Sequence, residues 1–323
     1  MTFGNDWGWG ADKAASRAIF DCYADAGGNF VDTSNNYTDG SSERFVGEFI
    51  HDERDRFVLA TKFSLRVKTG NGRDANLGGN SRKSMVRSVE NSLRRLNTDY
   101  IDLLYLHMWD FTTPVEEVLE TAETLVRAGK VLYFAFSDTP AWVVSYAIAT
   151  AERYGWPRPV ALQTPYSILD RSVERAELPM ARTYGLAHLG WGVLEGGILS
   201  GKYSQPANGE PRRESGVGER ELAAGEAVAR VAAEIGRTPA QVAINWVRQQ
   251  PGNPIPIIGA RTAAQMGENL GCLDFRLTEE QMAVFDALAN FRPGFPNAFL
   301  HSDHVRELIF GDTFALLDQG RAA

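Results

Sequence analysis

Short β-branched or aromatic runs alternate with helical patterns along the whole chain, and that order restricts the fold more than any single motif does. The runs lie at 29–32, 57–61, 102–107, 131–137, 160–163, 186–191 and 256–258. Helical patterns fall at 12–26, ending at Gly27-Gly28, at 81–95, between Pro114 and Gly129, and at 140–154, 219–235, 239–248 and 278–288. Strict alternation predicts a parallel sheet with helical crossovers, and a sheet covered by helices throughout can close as an α/β (β/α)8 TIM barrel. Seven strands are read where closure needs eight. The deficit falls at Met1 to Gly4, which reads as the end of a first strand truncated at the N-terminus. At 323 residues the chain suits one such barrel, with residues 1–323 as a single domain and no hydrophilic linker dividing it. Segments 65–80 and 204–219 are rich in Gly, charge, and Asn or Pro without periodicity, and read as long loops of the kind that form lids.

Composition narrows the class. A formal charge of −8, from 33 Lys plus Arg against 41 Asp plus Glu, argues against a nucleic-acid or anionic-membrane surface. The two cysteines, Cys22 and Cys272, lack metal-site spacing and cannot make a disulfide framework, so a reducing cytoplasm is expected. Neither a signal peptide nor a membrane span is read from the sequence. The expected partner is a small molecule, and the expected state is a monomer or small homo-oligomer.

Four ionisable residues stand at or just beyond strand ends: Asp32 in NFVDT, Tyr37 five residues on, Lys62 in VLATKF and His107 in DLLYLH. The C-terminal strand ends of a barrel converge on one face, which is where catalytic groups collect. Each residue alone has a bland reading: a loop cap, a loop aromatic, a solvated strand end, a satisfied core histidine. Together they point to one site.

At these residues the chain resembles the aldo-keto reductase family, near the long-chain branch that includes potassium-channel β subunits. The segment GGNFVDTSNNYTDGSSERFVGEFI is similar to that family's Asp-and-Tyr motif, VLATKF to its Lys strand and DLLYLHMWD to its His strand. QTPYSILDR, GWGVLEGGILSGKY and PIPIIGARTAAQMGENLG extend the similarity over essentially the whole chain. The resemblance implies an NADP(H)-dependent enzyme that reduces an aldehyde or ketone to an alcohol, or runs the reverse. Carbonyl reduction needs a proton on the oxygen, and a tyrosine near its usual pKa is a reluctant acid. Lys62 beside Tyr37 is expected to lower that pKa, Asp32 to hold the ammonium, and His107 to orient and polarise the carbonyl.

No Rossmann fingerprint or P-loop is present, so a dinucleotide must be held differently. The resemblance implies that Ser137, Asp138 and Gln163 bracket the nicotinamide carboxamide while Trp191 stacks on the ring. It also implies that backbone around Gly192, Leu194, Gly197 and Leu199, with Lys202, holds the diphosphate. Gly259 and Arg261 follow the last strand, where Arg261 suits a 2′-phosphate, and Gln265, Glu268 and Asn269 lie one helical face further on to meet the adenosine. Three departures from the family pattern stand out. Asp138 replaces a usual Asn and cannot donate to a carboxamide oxygen; Gly192-Val193-Leu194 replaces Ser-Pro-Leu; and the complete first strand is not found, so either the start codon is misplaced or the barrel is incomplete.

Two other readings stand beside the reductase. One is a cofactor-binding regulatory or interaction subunit with slow turnover. The other is an unrelated barrel enzyme using Lys62 as a Schiff-base amine. Pocket walls are expected from Trp7 to Trp9, from 65–80 and from 295–304, whose aromatics suit an apolar or ring-bearing substrate. The Asn36-Tyr37-Thr38 glycosylation pattern and the His301, Asp303 and His304 cluster are discounted, and no metal is expected.

Overall fold

The computed structural model describes residues 1–67, 74–203, 216–289 and 291–317. Among them seven parallel strands pair in sequence order: β1 (Phe30–Asp32), β2 (Val58–Phe63), β3 (Ile101–Leu106), β4 (Val131–Ser137), β5 (Ala161–Pro165), β6 (Ala187–Trp191) and β7 (Ile255–Pro256). All seven expected strands are present, with ends displaced by at most two residues. The helices are α1 (Lys13–Asp25), α2 (Ser41–Ile50), α3 (Arg82–Leu96), α4 (Val115–Arg127), α5 (Ala141–Tyr154), α6 (Glu177–Tyr184), α7 (Glu219–Glu234), α8 (Pro239–Arg248), α9 (Ala263–Leu270), α10 (Glu279–Ala289), α11 (Asn297–Leu300) and α12 (Asp303–Phe310).

Local chemistry sets many of these boundaries. Asp12 accepts from the Ala15 amide at 2.9 Å to start α1, and Thr238 with Gln241 closes a capping box on α8, with Pro239 at its first turn. Asn97, Gly155 and Gly185 end α3, α5 and α6 in the left-handed conformation.

The sheet curls, and the two-residue period of its strands separates two environments. Leu59, Phe63, Leu104, Leu106, Phe134, Phe136 and Leu162 face outward into the core beneath the helices. Ala60, Leu103, Tyr105, Ala135, Ala161 and Leu189 meet inside, with Phe30 and Ile257 against them. This is the curved sheet of a (β/α)8 barrel.

Among the described residues no eighth strand pairs with β7 or β1. Residues 1–4 make one parallel bridge, Phe3 to Ala11, and Phe3 packs with Ala11, Ile19, Ala260 and Met266 where α1 meets α9. Met1 to Gly4, read in the sequence as the end of a first strand, thus makes only an isolated bridge and no strand. No helix among the described residues is long and apolar enough to cross a membrane. Residues 68–73 and 204–215, the centres of the two expected lid loops, lie outside the described residues; residues 75–77 form a 3-10 turn.

Candidate active site

Continuing each strand's inward parity toward its C-terminal end gives the site directly. Phe30 is followed two residues later by Asp32, Ala60 by Lys62, Tyr105 by His107, Ala135 by Ser137, Ala161 by Gln163 and Leu189 by Trp191. One interior layer is thus apolar or small and the next is polar or aromatic. Parallel pairing places Lys62 opposite Tyr105 and Ser137 opposite Gln163, so the polar layer converges.

Asp32 and Lys62 form the centre. Lys62 is fully buried; its Nζ lies 2.5 Å from Asp32 Oδ2 and donates to the Thr33 carbonyl at 2.9 Å. Gln163 Nε2 donates to the other Asp32 oxygen at 2.9 Å. Tyr37 stands in a short turn after β1, with its ring centroid 5.0 Å from Lys62 Nζ. Its ring meets that of His107 edge-on at 5.7 Å and that of Trp7 edge-on at 6.5 Å, and Trp7 packs on Trp9 at 6.0 Å. The four residues singled out by position are one cluster, with the expected Trp7 and Trp9 wall beside it.

The electrostatics follow from burial in a small space. Burial pushes the Tyr37 phenol up, Lys62 pulls it down through charge and a hydrogen bond, and Asp32 and Asp138 push it up again; the net direction is upward. Lys62 acts in the expected sense, but removal of the phenol from water outweighs it. For Lys62, burial disfavours the ammonium, yet Asp32 and then Tyr37 overcome that and hold its pKa above the ordinary lysine value. Burial, then the Lys62 charge, lowers His107 to about 3, so its imidazole is neutral. At neutral pH the cluster therefore holds a phenol, an ammonium and an uncharged imidazole.

The residues expected to hold a dinucleotide border this cluster on the β4 to β7 side. Ser137 is buried at the end of β4, and Asp138 follows it in the left-handed region. Trp191 is 39% exposed, so a ring face is open at the mouth, and its Nε1 donates to Asp138 Oδ1 at 3.0 Å. Burial raises the Asp138 carboxyl, opposed by the Trp191 hydrogen bond and by Lys62. Beyond Trp191, the amides of Gly192, Val193 and Leu194 donate to no other group among the described residues, leaving a row of donors suited to an anion. Lys202 folds back on this segment, its Cε 2.6 Å from where a Cβ on Gly197 would lie, and Gly197 adopts φ +98°, a conformation that favours glycine. The Glu195 carboxylate is drawn aside by the Ser167 hydroxyl at 2.5 Å. Leu199 is buried.

The residues expected on the adenosine side are more dispersed. Gly259 abuts Thr2, and the Arg261 amide donates to the Gln265 side chain at 2.9 Å. Gln265 and Glu268 are exposed on α9, whereas Asn269 is buried beneath it. The site is thus tight around Tyr37 and open toward α9. The C-terminal tail reaches the same face: Arg175, just before α6, donates to the Pro293 carbonyl at 2.9 Å, and Phe295 beyond it is 83% exposed.

Ser34 was not singled out in the sequence, and Asn36 was named there only in a discounted glycosylation pattern. Ser34 Oγ lies 3.1 Å from His107 Nδ1 and 2.8 Å from Asn36 Oδ1. Their position within the VDTSNNY segment was the available signal, but a hydroxyl and an amide there look like ordinary turn residues.

Comparison with known proteins agrees with this geometry. Residues 1–290 match the model described as the Aldo/keto reductase family. A "probable aryl-alcohol dehydrogenase" of Saccharomyces cerevisiae is 38% identical over 309 residues, covering 90% of this chain and 93% of that protein. An NADP(+) aryl-alcohol dehydrogenase of Phanerodontia chrysosporium is 39% identical over 337 residues, covering 97% and 84%. A norsolorinic acid reductase of Aspergillus flavus is 37% identical over 307 residues, covering 93% and 79%. With the curled parallel sheet, the converging polar layer at its C-terminal rim and a family match over nearly its whole length, this chain belongs to the aldo/keto reductase family, oxidoreductases that act on carbonyls and alcohols.

Proposed function

We propose that this chain is an NADP(H)-dependent reductase of aldehydes or ketones, working also in reverse on the alcohols, with Tyr37 as proton donor. The observation that carries the reading is the buried Asp32–Lys62 pair set against Tyr37 and edged by His107. A reduced nicotinamide supplies the hydride. Tyr37 gives its phenolic proton to the carbonyl oxygen as the C–H bond forms, and the phenolate left behind faces the Lys62 ammonium, which stabilises it. Asp32 keeps Lys62 charged, and Gln163 and the Thr33 carbonyl fix the pair's geometry. His107, uncharged, is suited to a hydrogen bond with the same oxygen rather than to proton transfer.

Ser137 and Asp138 are suited to the carboxamide, with Asp138 accepting only, and Gln163 borders the same place although its amide nitrogen is engaged by Asp32. Trp191 would cover one face of the nicotinamide, while the free amides of Gly192 to Leu194 with Lys202 would take the diphosphate and Arg261 the 2′-phosphate. Trp7 and Trp9 beside Tyr37 favour an aryl substrate, as the aryl-alcohol relatives suggest. The protonated, ion-paired state of Lys62 speaks against a Schiff-base amine, which must be neutral to attack.

The experiment is a fluorescence titration with NADPH and NADH, followed by NADPH oxidation with a panel of aromatic aldehydes. Tyr37→Phe should lower turnover by about 10²–10⁴-fold while leaving NADPH affinity intact. Turnover near the wild-type rate in that variant would sink the assignment.

A further inference from the structure

Among the described groups gathered around Tyr37, Asp138 is the one charge without a counter-charge. Asp32 and Lys62 neutralise each other at 2.5 Å, and Tyr37 and His107 are uncharged. Ser137, Gln163 and Trp191 complete the polar layer without adding charge. Asp138 pairs with no lysine or arginine among the described residues; its side chain meets the Trp191 indole, which engages Oδ1 and leaves Oδ2 without a partner there. The layer therefore carries a net negative charge.

The local structure does not call for that charge. The backbone at Asp138 lies at φ +39°, in the left-handed region that Asp and Asn both tolerate. Its amide donates to the Gln163 carbonyl at 3.0 Å, and the Thr139 hydroxyl donates to the Ser137 carbonyl at 2.7 Å, so the turn is held from both sides without the carboxylate. An asparagine there would keep the turn and still accept from the Trp191 indole. The carboxylate is also held against a penalty: burial raises its pKa, opposed by the indole hydrogen bond and by the Lys62 charge. A half-buried carboxylate with no cation beside it is suited to a cation that arrives with the ligand.

A nicotinamide is that cation in one of its two redox states. The oxidised ring is a positively charged pyridinium and the reduced ring is neutral, while the rest of the dinucleotide is the same in both. Trp191, exposed beside Asp138, offers a π face that attracts a cationic ring more than a neutral one. We propose that Asp138, with the Trp191 face it holds, selects the oxidised over the reduced nicotinamide and so makes the bound reduced form a stronger hydride donor. This rests on the NADP(H) reading of the site. Asp138 stabilises the positive charge that develops on the ring as its hydride passes to the carbonyl carbon and the Tyr37 proton to the carbonyl oxygen. The same attraction slows release of the oxidised cofactor afterwards.

The test compares equilibrium titrations of wild type and Asp138→Asn with NADP(+) and with NADPH. The substitution keeps the turn and an acceptor for the indole and removes the charge. One unit charge at the edge of a pocket is worth about a factor of ten in a binding constant, so the ratio of NADP(+) to NADPH affinity should fall about tenfold in the variant. Adenosine 2′,5′-bisphosphate, which lacks the nicotinamide, should bind both proteins equally. In single-turnover reduction of an aromatic aldehyde the variant should transfer hydride more slowly and release NADP(+) faster. An unchanged affinity ratio, with both forms still bound, would overturn the inference and leave the reductase reading in place. A loss of the bisphosphate as large as the loss of NADP(+) would overturn it too, as general damage to the site. Binding of neither form by the wild type would instead remove the reductase reading, and the inference with it.

Discussion

Lowering the pH from 7.5 to 5 should weaken the fold through two buried histidines. His107 and His188 are both buried, and removal from water lowers their pKa from 6.5 to about 3 and about 4 respectively. His188 bonds Thr164 Oγ1 through Nε2 at 2.8 Å, and its buried Nδ1 has no partner among the described residues to receive a second proton. The unfolded chain takes up these protons as pH falls below about 6.5 while the folded chain does not, so stability declines from there down to the folded values. At pH 5 both folded values lie at least a unit below the ambient pH, and the loss is governed by the unfolded pKa. It amounts to about 2 kcal/mol for each ring and about 4 kcal/mol for both.

Urea unfolding at the two pH values measures this. Whatever His188→Gln does to stability at each value, the difference between them should shrink by about 2 kcal/mol, and His107→Gln should remove a similar amount. The interval stays above the ordinary range of carboxylates, whose contributions are in any case shared by all variants. A His188→Gln protein with the full wild-type pH difference would refute the reasoning.

Removing one partner of the buried ion pair should cost more than removing both. Lys62→Met leaves the Asp32 carboxylate buried without its cation, and urea unfolding should register a loss of about 3–5 kcal/mol; Lys62→Met with Asp32→Asn should regain much of it. Gly47 sits where α2 crosses the end of α3, and a Cβ there would fall 2.3 Å from the Leu96 carbonyl oxygen. Gly47→Ala should therefore lower the unfolding free energy by about 1–3 kcal/mol despite alanine's better helix propensity, and a more stable variant would contradict the packing.

The strands and the quartet were legible for one physical reason. A barrel strand must be apolar on both faces, so an Asp, Lys or His within or just after such a run is conspicuous, and parallel pairing then brings these residues to one rim. Asp32, Lys62 and His107 announce themselves in this way, and Tyr37 follows by its short distance from Asp32. The helices at α2, α6, α9, α11 and α12 were not read from periodicity. Four of the five span eight to ten residues and the other four, with glycine inside α2 and α9 and proline inside α6, too short and interrupted for a 3.6-residue period to stand out.

What stayed hidden depends on distances rather than residue types. That Lys62 would help Tyr37 ionise has the right sign, but its size against burial depends on how completely the phenol is enclosed, and enclosure is a property of the packed site. The same holds for Asp138, whose charge is visible in the sequence while its tie to the Trp191 indole is not. Ser34 is the sharpest case. In the chain it is a turn serine two residues after a carboxylate, and its contact with a His107 ring nitrogen 73 residues away exists only in the fold. A contact between residues so far apart leaves no signature in composition or spacing, so the sequence identifies the groups that carry charge, whereas the structure is needed to find the neutral groups that touch them.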